Sequence, residues 1–340
     1  MYIALDVMGG DNAPHAPVQG AIRAVKNSRF DLKIILIGDE LIIKKELGGF
    51  KSESISVLHA SENITSNDQA SKVIKTKPES SMVKGIWLLK EKKADAFISA
   101  GNTGAQMATS LLTLGRIPHV KRPALSAFFS GLSGGKILCD VGANPDASPE
   151  NMLQFAIMSS VYLDHVEGIK NPKIGLMNIG EESTKGSELY QNTYSLLKRE
   201  LPNFIGNIES RNIFICDADV LVCDGFVGNT IIKFAEGWVL SFAEMIKKKI
   251  LSKARYKIGA QMIQPALDEI RNKYDYEEHG GSRLLGVNGI SIVCHGAYQA
   301  TAESWGIAGA QGPCAGKTYC QLAPRAKHPQ TLRPPHKSTA

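Results

Sequence analysis

The 340-residue sequence is short of cysteine and of long apolar runs, and each shortage removes a class of explanation. Six Cys stand far apart, at 139, 216, 223, 294, 314 and 320. There is no Cys-x-x-Cys and no Cys/His spacing of the kind that holds zinc, so no structural metal is expected. Cys139, Cys216, Cys223 and Cys294 lie in or beside apolar runs and read as reduced core thiols, which fits a cytoplasmic protein. No stretch of 18 apolar residues exists, which excludes a membrane-spanning helix. The start, MYIALDVMGG, lacks a basic region and a cleavage site, so no secretory signal is read. Also missing are His-Glu-x-x-His, the dinucleotide fingerprint Gly-x-Gly-x-x-Gly, and the Gly-x-Ser-x-Gly nucleophile elbow. No cofactor is expected.

Charge of one sign is scarce too, except in two places. Residues 297–340 carry five Lys/Arg against Glu303 alone, a balance of +4, so of the net +6 only +2 belongs to residues 1–296. That body is not a nucleic-acid binder by charge. The second place is 247-KKKILSKARYK-257, with six positive charges and no acid.

What is present, from residue 1 to about 296, is a regular alternation. Apolar runs such as 2-YIALD-6, 33-KIILIG-38, 55-ISVLH-59, 94-ADAFIS-99, 124-ALSAFF-129, 136-KILCD-140, 173-KIGLMN-178, 219-DVLVCD-224 and 289-GISIVC-294 read as strands. Helical segments fall near 15–27, 67–92 (broken at Pro78), 102–115, 149–166, 184–200 and 227–250. Apolar strands alternating with helices predict an α/β fold, with a mainly parallel sheet covered on both faces. Ser148-Pro149-Glu150 marks a helix start: cap residue, proline at the first helical position, acid in the first turn.

Residues 230–273 read as a helical hairpin, with Pro265 expected to kink its second helix. Its basic tip, Lys247, Lys248, Lys249, Lys253, Arg255 and Lys257, is either a solvated helix end or a surface for lipid head groups or an acidic protein. Residues 298–340 lose all periodicity and are expected to be a disordered or non-native tail. Within them 312-GPCAGKT-318 mimics a P-loop, but Gln311 stands where the first glycine must be and no strand precedes it.

In open α/β sheets, ligands bind beyond the carboxyl ends of strands. Five of the strand candidates end in glycine with Asp, Asn, Glu or Lys: 6-DVMGGDNAPHAP-17, 101-GNTG-104, 140-DVGANPD-146, 178-NIGEESTKG-186 and 224-DGFVGN-229. One such end is ordinary turn chemistry. Five together predict one shared cleft, and two of them, 101–104 and 225–229, open helices and suit a phosphate. Lys185 and Arg122 would supply positive charge, although Lys185 also suits a surface pair with Glu182 and Arg122 a solvated loop. Asp6 equally serves to end its strand. Cys294-His295 raises a thiol nucleophile, but Cys294 ends an apolar strand and reads better as core. With no obvious protein nucleophile, the substrates would react directly with each other, helped by positioning and charge stabilisation.

The ordered set 5-LDVMGGD-11, 99-SAGNTGA-105, 122-RPAL-125, 140-DVGAN-144, 154-QFAIMSSV-161, 178-NIGEE-182 with Lys185-Gly186, 222-VCDGFVGN-229 and 295-HG-296 resembles the bacterial acyl-ACP:phosphate acyltransferase (PlsX) family. The resemblance extends from residue 2 to about 297 and implies a single Rossmann-like α/β/α acyltransferase domain that forms a homodimer. It implies transfer of a long-chain fatty acyl group from acyl carrier protein to inorganic phosphate, giving acyl phosphate for phospholipid synthesis. It further implies peripheral membrane contact through the hairpin and hand-over of the product to a membrane glycerol-3-phosphate acyltransferase. Phosphate is then the nucleophile. On this view Lys185 and the 101–104 and 225–229 turns bind phosphate, and Asn229 or Asn102 stabilises the thioester oxyanion. Asp224 or Asp140 orients the donors or takes a proton. The substrate-binding set is Asp6, Gly9, Gly10, Gly101, Thr103, Gly104, Arg122, Asp140, Asn144, Glu181, Gly225 and Gly228. Pro145 and everything past Gly296 depart from the family pattern. Two rival readings are an NAD(P)-dependent dehydrogenase of the isocitrate or isopropylmalate type and a non-catalytic sensor of acyl groups or phosphate at the membrane.

Overall fold

Apolar strands need cover on both faces, and in the computed structural model they line up in one eleven-stranded sheet that provides it. The structure describes residues 1–28, 31–131, 134–274 and 281–294. The His295-Gly296 motif and the 298–340 tail lie outside the described residues. The strands are β1 (Tyr2–Asp6), β2 (Lys33–Gly38), β3 (Ile55–His59), β4 (Ala96–Ser99), β5 (Ala124–Gly131), β6 (Gly134–Cys139), β7 (Ile174–Asn178), β8 (Phe204–Glu209), β9 (Val220–Val222), β10 (Ser282–Leu285) and β11 (Ile290–Val293). The helices are α1 (His15–Asn27), α2 (Glu40–Leu47), α3 (Val73–Thr76), α4 (Ser81–Lys90), α5 (Thr103–Leu114), α6 (Pro149–Tyr162), α7 (Glu188–Glu200), α8 (Gly225–Leu251) and α9 (Ala254–Tyr274).

Alternate residues of each strand feed opposite layers. Ile3 and Leu5 of β1 pack with Val18 and Ile22 of α1, whereas Ala4 packs with Ile86 of α4 on the other face. In the other half, Ile137 and Val220 meet Phe155 and Met158 of α6, while Leu138 and Leu221 face Val227 and Ile231 at the foot of α8. Helix starts are fixed by side chains. Ser148 caps α6, as Ser148-Pro149-Glu150 predicts, and Asn151 completes a reciprocal capping box with it. Asp39, Ser80, Asn102 and Asp224 cap α2, α4, α5 and α8.

The strand order is β3-β2-β1-β4-β11-β10-β5-β6-β9-β7-β8. Pairing is parallel among β3, β2, β1, β4 and β11, and again among β6, β9, β7 and β8. Between them β10 pairs antiparallel with β11 and with β5, and β5 pairs antiparallel with β6. Three successive reversals leave the second block running opposite to the first. The carboxyl ends of β1 and β4 therefore leave one edge of the sheet, and those of β6, β9 and β7 leave the other. This corrects the expectation that five strand ends converge at one edge: strand polarity depends on pairing, which the local pattern of each strand does not encode.

The hairpin is present, with α8 and α9 meeting at Ser252-Lys253. Beyond its foot α8 leaves the body, so that Phe234 (72% exposed), Trp238 (57%) and, on α9, Met262 (79%) face solvent. The six basic tip residues are exposed. Pro265 lies inside α9, which continues through it rather than ending there. The segment 67–92 resolves into α3 and α4 on either side of Pro78.

Candidate active site

At the first edge, the turn after β4 is held from behind. Asp6 is buried and accepts hydrogen bonds from the Met8 N–H (3.0 Å) and the Ser99 hydroxyl (2.7 Å). The Ser99 oxygen in turn accepts from the Gly101 N–H at 3.0 Å. Burial pushes the Asp6 carboxyl above its usual range, and the bonds from Ser81, Ser99 and Met8 pull against it. Gly9 fits because a Cβ there would stand 2.8 Å from the Gly101 nitrogen. Gly10 has φ 101°, a conformation that favours glycine. The result is a fixed turn that delivers Gly101 to the head of α5.

At the second edge, Asp140 organises the turn after β6. Its carboxylate receives the N–H groups of Leu125 (3.0 Å), Gly142 (3.2 Å), Ala143 (3.0 Å) and Asn144 (2.6 Å), and the Asn144 amide (2.8 Å). Burial raises the Asp140 pKa while these donors lower it. Because every partner donates, the carboxylate is an organiser, and none of its contacts offers a path for a proton to leave. The Asn144 amide nitrogen donates to both Asp140 and the Pro123 carbonyl (2.8 Å).

The head of α8 lies directly on this turn. A Cβ at Gly225 would come within 2.8 Å of the Asn144 nitrogen, and one at Gly228 within 1.8 Å of the Asp140 carbonyl oxygen. Asp224 caps the helix through Val227 N–H at 2.9 Å, and its other oxygen receives the Tyr190 hydroxyl at 2.6 Å. That distance is typical of a charge-assisted O–H···O⁻ bond. Burial first, and then the bond to Asp224, push the Tyr190 phenol well above its ordinary pKa. Asn229, one turn into α8, sits over Gly142, where a Cβ would stand 3.6 Å from the Asn229 Oδ1.

A cleft of about 760 Å³ joins the two edges. Gly101, Thr103 and Gly104 line it from the α5 head, and Gly142, Ala143 and Asn229 from the Asp140 turn and α8 head. Between them it is mainly apolar, with Leu125, Ala127 and Phe129 of β5 on one side and Ile231, Ile232, Ala235 and Val239 of α8 on the other, and the ion pair of Lys233 with Glu236 (2.8 Å) at its border. The two glycine helix heads thus share a cleft after all, reached across a face of the sheet rather than at one edge.

The remaining expected site residues stand elsewhere. Asn102 is taken up as a cap, its Oδ1 accepting from Ala105 N–H (3.0 Å) and its amide donating to the Thr65 carbonyl (3.1 Å). Lys185 is half-exposed on the β7–α7 loop, 4.0 Å from Glu182, at the same sheet edge as Asp140 and Asp224 but not in the cleft lining. Glu181 is exposed and accepts from Asn212 at 3.4 Å. Arg122 pairs with Asp146 at 3.4 Å. Cys294 touches the cleft but is 2% exposed. Sequence reasoning missed Tyr190, which no motif marks, and the cleft-lining role of the apolar side chains of β5, read as a strand, and of α8, read as part of the hairpin. Among the described residues no cluster of His, Cys, Asp and Glu is arranged to hold a metal ion.

The chain is similar to known proteins over most of its length. The family described as "Fatty acid synthesis protein" matches residues 1–319, past the last of the ordered motifs. A phosphate acyltransferase of Desulfitobacterium hafniense (strain DSM 10664 / DCB-2) is 48% identical over 299 residues, 87% of this chain and 89% of the relative. One from Heliobacterium modesticaldum is 47% identical over 306 residues, 89% of this chain and 90% of the relative. Among solved structures, EutD phosphotransacetylase from Staphylococcus aureus superposes with TM-score 0.56 at 16% identity, covering 92% of this chain and 94% of that one. A branched-chain phosphotransacylase from Enterococcus faecalis V583 gives 0.56 at 12%, covering 92% and 98%. At such identities the structural matches establish the fold alone, a mostly parallel open sheet flanked by helices.

Proposed function

The chain belongs to the fatty acid synthesis protein family, the PlsX phosphate acyltransferases, and from that premise we propose that it moves a long-chain fatty acyl group from acyl carrier protein to inorganic phosphate. The observation that carries this reading is a mainly apolar cleft with a glycine-turn helix head at each of two walls. An acyl thioester needs an apolar channel for its chain and N–H donors for its carbonyl, and phosphate needs a dense set of N–H donors. Thr103 and Gly104 at the α5 head, the Asn229 side-chain amide at the α8 head and the trough between them supply these needs. Attack by a phosphate oxygen on the thioester carbon displaces the carrier thiolate, which takes the proton released by monohydrogen phosphate. Protein side chains then position and stabilise charge rather than forming a covalent intermediate.

In this reading Asn229, with the Gly142 and Ala143 backbone beneath it, faces the developing oxyanion. The α5 head, Gly101 to Gly104, receives phosphate. Asp6 acts through Ser99, Asp140 through its turn, and Asp224 with Tyr190 through the α8 head. Lys185 reaches the site by movement of its half-exposed side chain. The dehydrogenase and sensor readings are not favoured by the relatives' shared activity.

The protruding hairpin supports two finer assignments. Its exposed Phe234, Trp238 and Met262 need a covering surface, met by a second copy of the chain or a membrane interface. Its basic tip suits anionic head groups or the acidic carrier protein. Among the described residues no helix is long and apolar enough to cross a membrane. In this reading the hairpin makes a peripheral membrane contact, and the product passes to a membrane glycerol-3-phosphate acyltransferase. Incubation of long-chain acyl-ACP with and without inorganic phosphate tests the central reading. Phosphate-dependent loss of acyl-ACP supports it, and loss that ignores phosphate refutes it.

A further inference from the structure

We propose that the alkyl chain of the acyl substrate lies in the trough between the β5 face and the first turns of α8, and that Ala127 and Ala235 set how much chain it holds. The inference rests on the acyl-transfer reading and adds a location to it. Alternate residues of a strand share a face, so Leu125, Ala127 and Phe129, which pack in one cluster with Ile231 and Ile232, form an apolar floor, with Phe128 also bordering the cleft. Residues four apart on a helix share a stripe, so Ile231, Ala235 and Val239 form the facing wall. Floor and wall both carry their smallest side chain in the middle, with larger ones on either side. A packed core would close such a gap with larger side chains; here it remains part of the open cleft.

The trough is continuous with the polar site. Leu125 donates its N–H to Asp140, the residue that orders the Gly142–Ala143 turn, and Asn229, one turn into α8, stands two residues before Ile231. From Asn229 to Val239 the helix advances about 15 Å at 1.5 Å per residue. Carbon–carbon bonds of about 1.5 Å near the tetrahedral angle advance about 1.25 Å each, so that length takes roughly twelve. The trough matches the greater part of a long acyl chain, with the remainder leaving along the exposed face of α8. A phosphate or short-chain acid alone would leave these apolar walls unmatched.

The test uses straight-chain alkylphosphonates from six to fourteen carbons, below their micelle concentrations, titrated calorimetrically into the intact protein. Each buried methylene is expected to tighten binding about fourfold until the trough is full, near twelve carbons, after which the gain flattens. Ala127→Leu and Ala235→Leu fill the middle of the trough from opposite sides, and the second lies on a partly exposed helix face that tolerates the change. Each should move the flattening to shorter chains, near eight carbons, and leave binding of the six-carbon phosphonate within about twofold. Affinity independent of chain length overturns the proposal, as does a length series unchanged in both variants. Because binding is read without turnover, the two readings separate. Length-dependent binding without acyl transfer would refute the enzyme reading and keep the trough. Acyl transfer whose chain-length preference ignores both variants would do the reverse.

Discussion

Gly228→Ala is the smallest change that should dislodge the site. The added methyl would stand 1.8 Å from the Asp140 carbonyl oxygen and 2.9 Å from the Cys223 sulfur. The oxygen belongs to backbone that five hydrogen bonds to the Asp140 carboxylate hold in place, so it cannot swing aside. The α8 head must lift instead. Overpacking of this kind costs about 1–3 kcal/mol or more, and replacing a helical glycine by alanine returns only about 1 kcal/mol. Because the methyl would meet backbone at 1.8 Å, the cost lies at the upper end of that range, and a net loss of about 2 kcal/mol is expected. The larger consequence is geometric: a shift of about 1 Å in Asn229 costs on the order of 100-fold in rate if it faces the oxyanion. Gly237→Ala is the control, since a Cβ there meets nothing within 4 Å. It should leave activity unchanged and add up to about 1 kcal/mol of stability. The assays are phosphate-dependent turnover of acyl-ACP and urea unfolding of both variants. Gly228→Ala with wild-type kcat/KM and an unchanged unfolding midpoint would show that the α8 head does not bear on the Asp140 turn as described.

Three further outcomes are expected. Asp140→Asn places an amide where only donors converge and leaves at least two of them unpaired, so unfolding should become easier by at least about 2 kcal/mol; a variant as stable as wild type would contradict the organiser role. Lys185→Ala should lower kcat/KM for phosphate about 10- to 150-fold, the equivalent of one charge-assisted hydrogen bond of about 1.5–3 kcal/mol; unchanged phosphate kinetics would remove Lys185 from the site. Replacing Lys247, Lys248 and Lys249 together with glutamine should weaken sedimentation with anionic liposomes, most at low salt. Equal binding by the variant would mean the basic tip does not touch lipid.

The local content of the fold was legible in the sequence. Near-continuous apolar runs such as 33-KIILIG-38 became buried strands, and the predicted Ser148 cap proved to be half of a capping box with Asn151, because both follow from residues within a few positions of each other. The hairpin was readable for the same reason. Polarity across the sheet was not, since it depends on β10 and β5 reversing between β11 and β6, and the pairing that joins the two blocks, β10 with β5, brings together residues more than 150 apart in the chain. Of the site, the glycine turns announced themselves, because a missing side chain at a strand end is visible in one dimension. Their supports did not: Tyr190 reaches Asp224 from a different helix, 34 residues away. The trough was equally hidden, because Ala127 and Ala235 differ from core residues only in what stands opposite them.

The central claim is that inorganic phosphate takes the acyl group directly. The most direct measurement supplies long-chain acyl-ACP and phosphate to the purified protein and follows both carrier release and acyl phosphate, trapped as the hydroxamate. The account predicts that the two appear in equal amounts, that both need phosphate, and that no acylated protein accumulates when phosphate is withheld. Carrier release without phosphate, or a stable acyl-protein adduct in its absence, would contradict it.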